Sequence, residues 1–150
     1  MKVLKKYVFL VLYVVYVFLI FRNSLDPADV SSVKSGAVLA FLNDFLFSGK
    51  AVLTEHMVRK MAHFSEYALA GVLGWMALRR FVTGRVQCLV DGAFLGLMVA
   101  FCDETIQLFV PGRSGQVSDV WIDFSGYLVG IAVCVLGCLI VKRMRMRKRS

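Results

Sequence analysis

A chain of 150 residues with 59% hydrophobic side chains and a mean hydropathy of +0.71 is too apolar for an ordinary water-soluble domain, in which about half the residues are apolar. Its net charge of +8 is gathered largely in short clusters beside apolar runs, which is how membrane topology is signalled, and this argues against nucleic acid as the partner. Cys88, Cys102, Cys134 and Cys138 all fall inside apolar runs without Cys-x-x-Cys spacing, so neither a zinc site nor a disulfide framework is indicated.

The expected architecture is an all-α membrane protein, one domain over residues 1–150 with four transmembrane helices. The first apolar run, Tyr7 to Phe21, follows Lys2, Lys5 and Lys6 as a signal peptide would. No small-x-small site follows it, so it reads as an uncleaved helix over about residues 4–22, apolar on every face, serving as anchor and lipid-facing wall. A connection of about thirty residues comes next, turning at Asp26-Pro27. Its semi-apolar stretch from Ser35 to Phe47 predicts an interfacial or re-entrant helix. The second span is expected over residues 55–80 with Thr54 as N-cap. Phe64 to Leu78 alone would cover only about 22 Å of a hydrocarbon core about 30 Å thick, so its outer half must carry charged residues. The third, 86–110, should stop at Pro111-Gly112, and the fourth, 119–141, should start at Ser118 and lead into a basic tail, 142–150.

Twelve of the eighteen basic residues flank the N-terminus, the turn holding Arg79, Arg80 and Arg85, and the C-terminal tail. The other six, Arg22, Lys34, Lys50, Arg59, Lys60 and Arg113, share their side with nine of the ten acids, so both termini are expected in the cytoplasm.

At 100° per residue, His56, Arg59, Lys60, His63, Glu66 and Tyr67 occupy one arc of the second helix, continued inward by Ala70, Gly71 and Gly74. Gly92, Gly96, Ala100, Asp103 and Gln107 make a similar stripe on the third helix, with Glu104 beside it. Asp119, Asp123, Gly126, Gly130, Cys134 and Gly137 make one on the fourth. Small residues mark faces that can approach closely in lipid, where packing replaces hydrophobic drive. Each stripe leads outward into charge. The bundle should therefore open into a polar pocket of Lys60, His63, Glu66, Tyr67, Asp103, Glu104, Gln107, Arg113, Asp119 and Asp123. Ionisable residues at membrane depth cost about 2.5–3.5 kcal/mol at a helix centre, so these need partners, water or a ligand. Mutual neutralisation that pins three helices together is the plainer alternative.

His63-x-x-Glu66 has the helical spacing of a shared metal site, but di-iron bundles need two such motifs and further Glu residues. Only one is present, so no metal centre and no cofactor are expected. Phosphate loops, His-Glu-x-x-His and Gly-x-Ser-x-Gly are absent, which leaves general acid–base chemistry by His63 and a carboxylate as the catalytic option.

The segments RKMAHFSEYALAGVLG and DETIQLFVPGRSGQVSDVWIDFSGYLVG together resemble the VanZ-like family of small bacterial membrane proteins. The carrying residues are Lys60, His63, Phe64, Glu66 and Tyr67; Asp103, Glu104, Gln107 and Phe109; Gly112 and Arg113; and Asp119, Asp123 and Gly126, over roughly residues 20–140. Position 123, often Asn in that pattern, is Asp here. The resemblance implies a role at the cell envelope, with some members linked to reduced susceptibility to teicoplanin or related lipoglycopeptides. It implies no reaction.

The expectation is a multi-pass protein of the bacterial cytoplasmic membrane, with membrane lipids as partners and an outer-leaflet site for a lipid-linked envelope ligand. Lys60 and Arg113 would meet its anionic groups, while Asp103, Glu104 and Asp119 would accept from hydroxyls, amides or an amine. The alternatives are an enzyme modifying an envelope lipid and a proton-coupled transporter or lipid translocator. The latter is weakened by the lack of ionisable groups other than Asp91 through the inner half.

Overall fold

Backbone placed in lipid must satisfy its own hydrogen bonds, and the described regular elements are all helices. The computed structural model describes residues 2–47 and 52–148. They form α1 (Lys2–Ser24), α2 (Ala28–Phe47), α3 (Glu55–Leu78), α4 (Arg85–Gln107) and α5 (Val117–Arg147). Of the basic residues used for orientation, Lys50 and Arg149 lie outside the described residues, as do the side chains of Lys2, Lys5 and Lys34.

Lys6–Ser24 of α1, together with α4 and α5, is long and apolar enough to cross a membrane. α3 matches them in length, with 24 residues, but its N-terminal half carries Glu55, Arg59, Lys60 and Glu66.

The predicted boundaries need four corrections. The connection after α1 is helical from Ala28, well before Ser35, and runs for 20 residues. α3 ends at Leu78 with Arg79 as its C-cap. α4 stops at Gln107, three residues early, because Leu108, Phe109 and Val110 donate to the carbonyls of Thr105, Ile106 and Gln107 at 3.0–3.2 Å, tightening the chain into turns ahead of Pro111. α5 is capped by Gln116 rather than Ser118 and continues to Arg147, since Lys, Arg and Met are good helix formers and charge alone does not end a helix. Thr54 does cap α3, its hydroxyl oxygen accepting from Met57 N at 3.3 Å.

α3 packs against α1, α2, α4 and α5, most extensively against α5. Glycines make that contact. A Cβ on Gly126 would meet the backbone of Phe64, one on Gly130 the backbone of Ala68, and one on Gly71 the carbonyl of Tyr127. The small-residue stripes of α3 and α5 thus meet backbone to backbone. Between them and α4 lies Tyr127, fully buried, its ring against Gly96 and its hydroxyl beside Gly74. That hydroxyl bonds the hydroxyl of Tyr13 at 3.3 Å. α1 is accordingly more than an outer wall, because Tyr13 and Ile20 are buried in the core. Gly137 faces open space, where the stripe no longer packs. Large apolar side chains such as Phe18, Phe94, Phe101 and Val133 point outward, as expected of surfaces that face lipid.

At one end of the bundle Lys6 sits 4.7 Å from the Phe81 ring and Arg80 lies 5.3 Å from the Phe9 ring. Arg79, Arg80, Lys142 and Arg145 line a groove of about 660 Å³ against Trp75. The basic flanks of α1, α3 and α5 therefore lie together, and the mixed-charge residues gather at the opposite end.

Candidate functional site

At that opposite end, the first turns of α3 and α5, the last turns of α4 and the 108–116 connection enclose a cavity of about 120 Å³. Its walls include Lys60 and His63 from α3, Glu104 and Gln107 from α4, Arg113 from the connection, and Asp119 and Asp123 from α5. A second cavity, of about 140 Å³, lies toward α1 and α2 and holds Glu66 with Asn23, Asp26 and Ser31. Arg59, His63 and Arg113 line both and so stand at the divide.

Local chemistry fixes most of these side chains. Lys60 Nζ donates to Asp119 Oδ1 at 2.7 Å, which ties α3 to α5. Glu104 is held on both oxygens: Oε1 accepts from Gln107 Nε2 at 3.0 Å and Oε2 from the Gln116 amide at 2.9 Å, clamping the connection onto α4. Gly112 has φ +74°, a conformation that glycine adopts without strain, and a Cβ there would press on Ala28. The turn it makes brings Arg113 Nη1 to within 2.8 Å of Ser31 Oγ on α2. Arg59 Nη2 donates to Glu55 Oε1 at 2.8 Å and to Ser32 Oγ at 3.1 Å, so neighbouring serines of α2 receive the two guanidiniums.

Beneath the cavity the polar groups are buried and less well paired. Asp103 and Asp123 are 0% and 1% exposed, and Tyr67, also 0% exposed, lies against Asp103. Gln107 Nε2 reaches Asp103 Oδ2 at only 3.4 Å. His63 Nδ1 stands 3.9 Å from Asp123 Oδ1, beyond hydrogen-bond length. His63, Asp103 and Asp123 each bring one donor atom within 4.8 Å of the others, making them the described residues best placed to hold a cation.

Of the residues singled out in the sequence, Lys60, His63, Glu104, Gln107, Arg113, Asp119 and Asp123 line one cavity, whereas Tyr67 and Asp103 are fully buried and do not line it, Asp103 lying close to His63 and Asp123 and Tyr67 against Asp103. Glu66 does not join them. It faces the α1–α2 side, where Asn23 Nδ2 donates to it at 3.4 Å. The contributions of Ser31, Ser32, Asn23 and Gln116 were not foreseen. The only sequence signal was the serine cluster 31, 32 and 35, whose alignment on the face over Arg59 and Arg113 depends on how α2 folds back.

The Lys60–Asp119 pair is about 30% exposed on each side, so its worth should be modest. A double-mutant cycle of Lys60→Met and Asp119→Asn, read by thermal unfolding in detergent, is expected to give a coupling of about 1 kcal/mol. A coupling near zero would mean that the pair does not join α3 to α5 energetically.

No curated protein and no solved structure matches the chain. The family model VanZ/LLP1 matches residues 8–140, spanning most of α1, all of α2, α3 and α4 and most of α5, together with every residue of the cavity. By that match over most of its length, and with apolar helices long enough to cross a membrane, this chain belongs to the VanZ/LLP1 family of membrane proteins.

Proposed function

We propose that this chain crosses the cytoplasmic membrane four times, with both termini inside, and binds the anionic headgroup of an envelope lipid or lipid-linked precursor at the outer ends of α3, α4 and α5. α3 is the fourth span. At about 36 Å it is long enough, and its charged outer half is turned largely toward the cavities rather than lipid. The grouping of Lys6, Arg79, Arg80, Lys142 and Arg145 at one end supports the orientation. α2 then lies over the site at the outer interface.

The observation that carries the ligand is Arg113. Burial, and after it the like charge of Arg59, hold its guanidinium below the usual arginine range. It stands within ion-pair distance of no described carboxylate, Asp103, Glu104 and Asp26 acting on it only from farther away, and its Nε has no hydrogen-bond partner among the described residues. An anionic group between Arg113 and Arg59 would relieve both the desolvation and the repulsion, and a phosphate suits the planar fork of arginine. A link to glycopeptide susceptibility would follow if the headgroup belongs to a cell-wall precursor.

The test is binding of short-chain phosphatidic acid and of zwitterionic phosphatidylcholine to purified protein in detergent, followed by native mass spectrometry. The wild type should prefer the phosphatidic acid, and Arg113→Ala should weaken that binding by about tenfold or more, the usual worth of a charge-assisted hydrogen bond. Equal affinity of wild type and Arg113→Ala, in well-folded protein, would refute the reading. Chemical conversion of the lipid would identify an enzyme instead.

A further inference from the structure

We infer that His63, Asp103 and Asp123 form a binding site for a divalent transition-metal cation beneath the anion-binding cavity. The spacing His63-x-x-Glu66 points sequence reasoning elsewhere, to a partner on the same helix, and Glu66 in fact faces the second cavity. The fold instead gives His63 two carboxylates from two other helices.

Three observations carry the inference. The donors converge: one atom from each residue lies within 4.8 Å of the others, and His63 Nδ1 is 3.9 Å from Asp123 Oδ1. The carboxylates are buried, at 0% exposure for Asp103 and 1% for Asp123. They are also incompletely answered: among the described residues both oxygens of Asp123, Oδ1 of Asp103 and Nδ1 of His63 have no hydrogen-bond partner, while Asp103 Oδ2 accepts from Gln107 at 3.4 Å with Ser24 and Tyr67 beside that carboxyl group. Two carboxylates withdrawn from water cannot both stay charged without a compensating cation. Lys60 pairs with Asp119 and Arg113 bonds Ser31, and no described Lys or Arg stands within ion-pair distance of Asp103 or Asp123, although the charge of Arg113 acts on Asp103 from farther away.

Metal–ligand bonds of about 2.0–2.2 Å require donors to stand about 3.3 Å apart, so inward movement of up to about 0.9 Å by each side chain would bring the three donors to bonding distance. One imidazole and two carboxylates suit Zn²⁺ or Mn²⁺ better than Ca²⁺ or Mg²⁺. Gln107 and Tyr67, both against Asp103, would orient that ligand from behind. Three protein ligands leave coordination positions free, and His63 and Asp123 line the cavity above. A cation there could meet an oxygen of the bound headgroup; that last step rests on the headgroup reading, whereas the cation site itself does not.

The experiment therefore omits lipid. Tag-free protein in detergent is loaded with ZnCl₂ or MnCl₂, desalted, and its metal measured by plasma mass spectrometry. About one ion per chain is expected for the wild type, and retention at least about tenfold lower for Asp123→Asn and Asp103→Asn at unchanged helicity and elution volume. His56→Gln, whose side chain is outside the triad, should retain the ion. Should the Asp variants fail to fold, pulsed electron paramagnetic resonance of Mn²⁺-loaded His56→Gln provides a second readout, because a nitrogen hyperfine coupling can then arise only from His63 among the histidines. Wild-type protein that keeps no stoichiometric Zn²⁺ or Mn²⁺, folded Asp variants that bind as much as wild type, or bound Mn²⁺ without nitrogen coupling would overturn the site in favour of a proton shared between the two carboxyl groups.

Discussion

Gly130→Val is expected to be the most damaging single substitution in the bundle. Its Cβ would fall on the Ala68 carbonyl and near the Val72 amide, both backbone atoms of α3, so no rotamer change can make room. α3 and α5 would have to move apart, and the same interface carries Gly126 on Phe64 and the Lys60–Asp119 bond farther out. Forcing extra methyl groups into a packed core costs about 1–3 kcal/mol, and a backbone clash belongs at or above the top of that range. The expected result is a melting temperature depressed by about 10 °C or more in detergent, with a broadened elution profile. Gly137→Val supplies the contrast. It lies on the same stripe seven residues on but faces open space, so its melting temperature should stay at the wild-type value. Equal melting of Gly130→Val and wild type would show that the α3–α5 contact is not close-packed.

Tyr127→Ala should be nearly as severe for the opposite reason. The side chain is fully buried against Gly96 and Gly74, glycines that leave the space it fills. Removing it leaves a void that helices already in close contact elsewhere cannot collapse into, and loss of a buried aromatic ring costs about 3–5 kcal/mol. Tyr127→Phe keeps the ring and gives up only the 3.3 Å bond to Tyr13, worth about 1 kcal/mol. The comparison separates packing from hydrogen bonding: thermal unfolding should order the proteins wild type, Tyr127→Phe, Tyr127→Ala, with the larger gap at the second step. Two steps of similar size would mean that the hydroxyl pair, not the ring, holds α1 to the core.

Both predictions concern contacts that the stripes suggested without supplying their content. Gly71, Gly126 and Gly130 announced close approach, but not that Tyr127 would fill the space facing α4. Tyr127 sits one residue after Gly126 in an apolar run and reads like any lipid-facing aromatic. Likewise Gly137 continues the glycine spacing without continuing the contact, because α5 runs on beyond the point where its stripe packs.

The charged residues divide in the same way. That Lys60, His63, Asp103, Glu104, Arg113, Asp119 and Asp123 share one end follows from helical period, span length and the placement of basic flanks, all local properties. Who partners whom does not. Glu66 is three residues from His63 and yet lies in the neighbouring cavity, while His63 meets Asp123 across sixty residues of sequence. Nothing in the α2 sequence states that Ser31 and Ser32 will receive Arg113 and Arg59, since that depends on the Gly112 turn docking against Ala28.

The sequence by itself thus determined the apolar helices, the polar end and the residue types gathered there, because hydropathy and helical periodicity act within a few turns of chain. Tertiary structure alone decided that Glu104 is clamped, that Arg113 bonds Ser31 rather than pairing with a described carboxylate, and that His63, Asp103 and Asp123 converge. Those outcomes depend on the axial offset and rotation of one helix against another, and a shift of a single turn, about 5.4 Å, would exchange every partner while leaving each helix's own pattern intact.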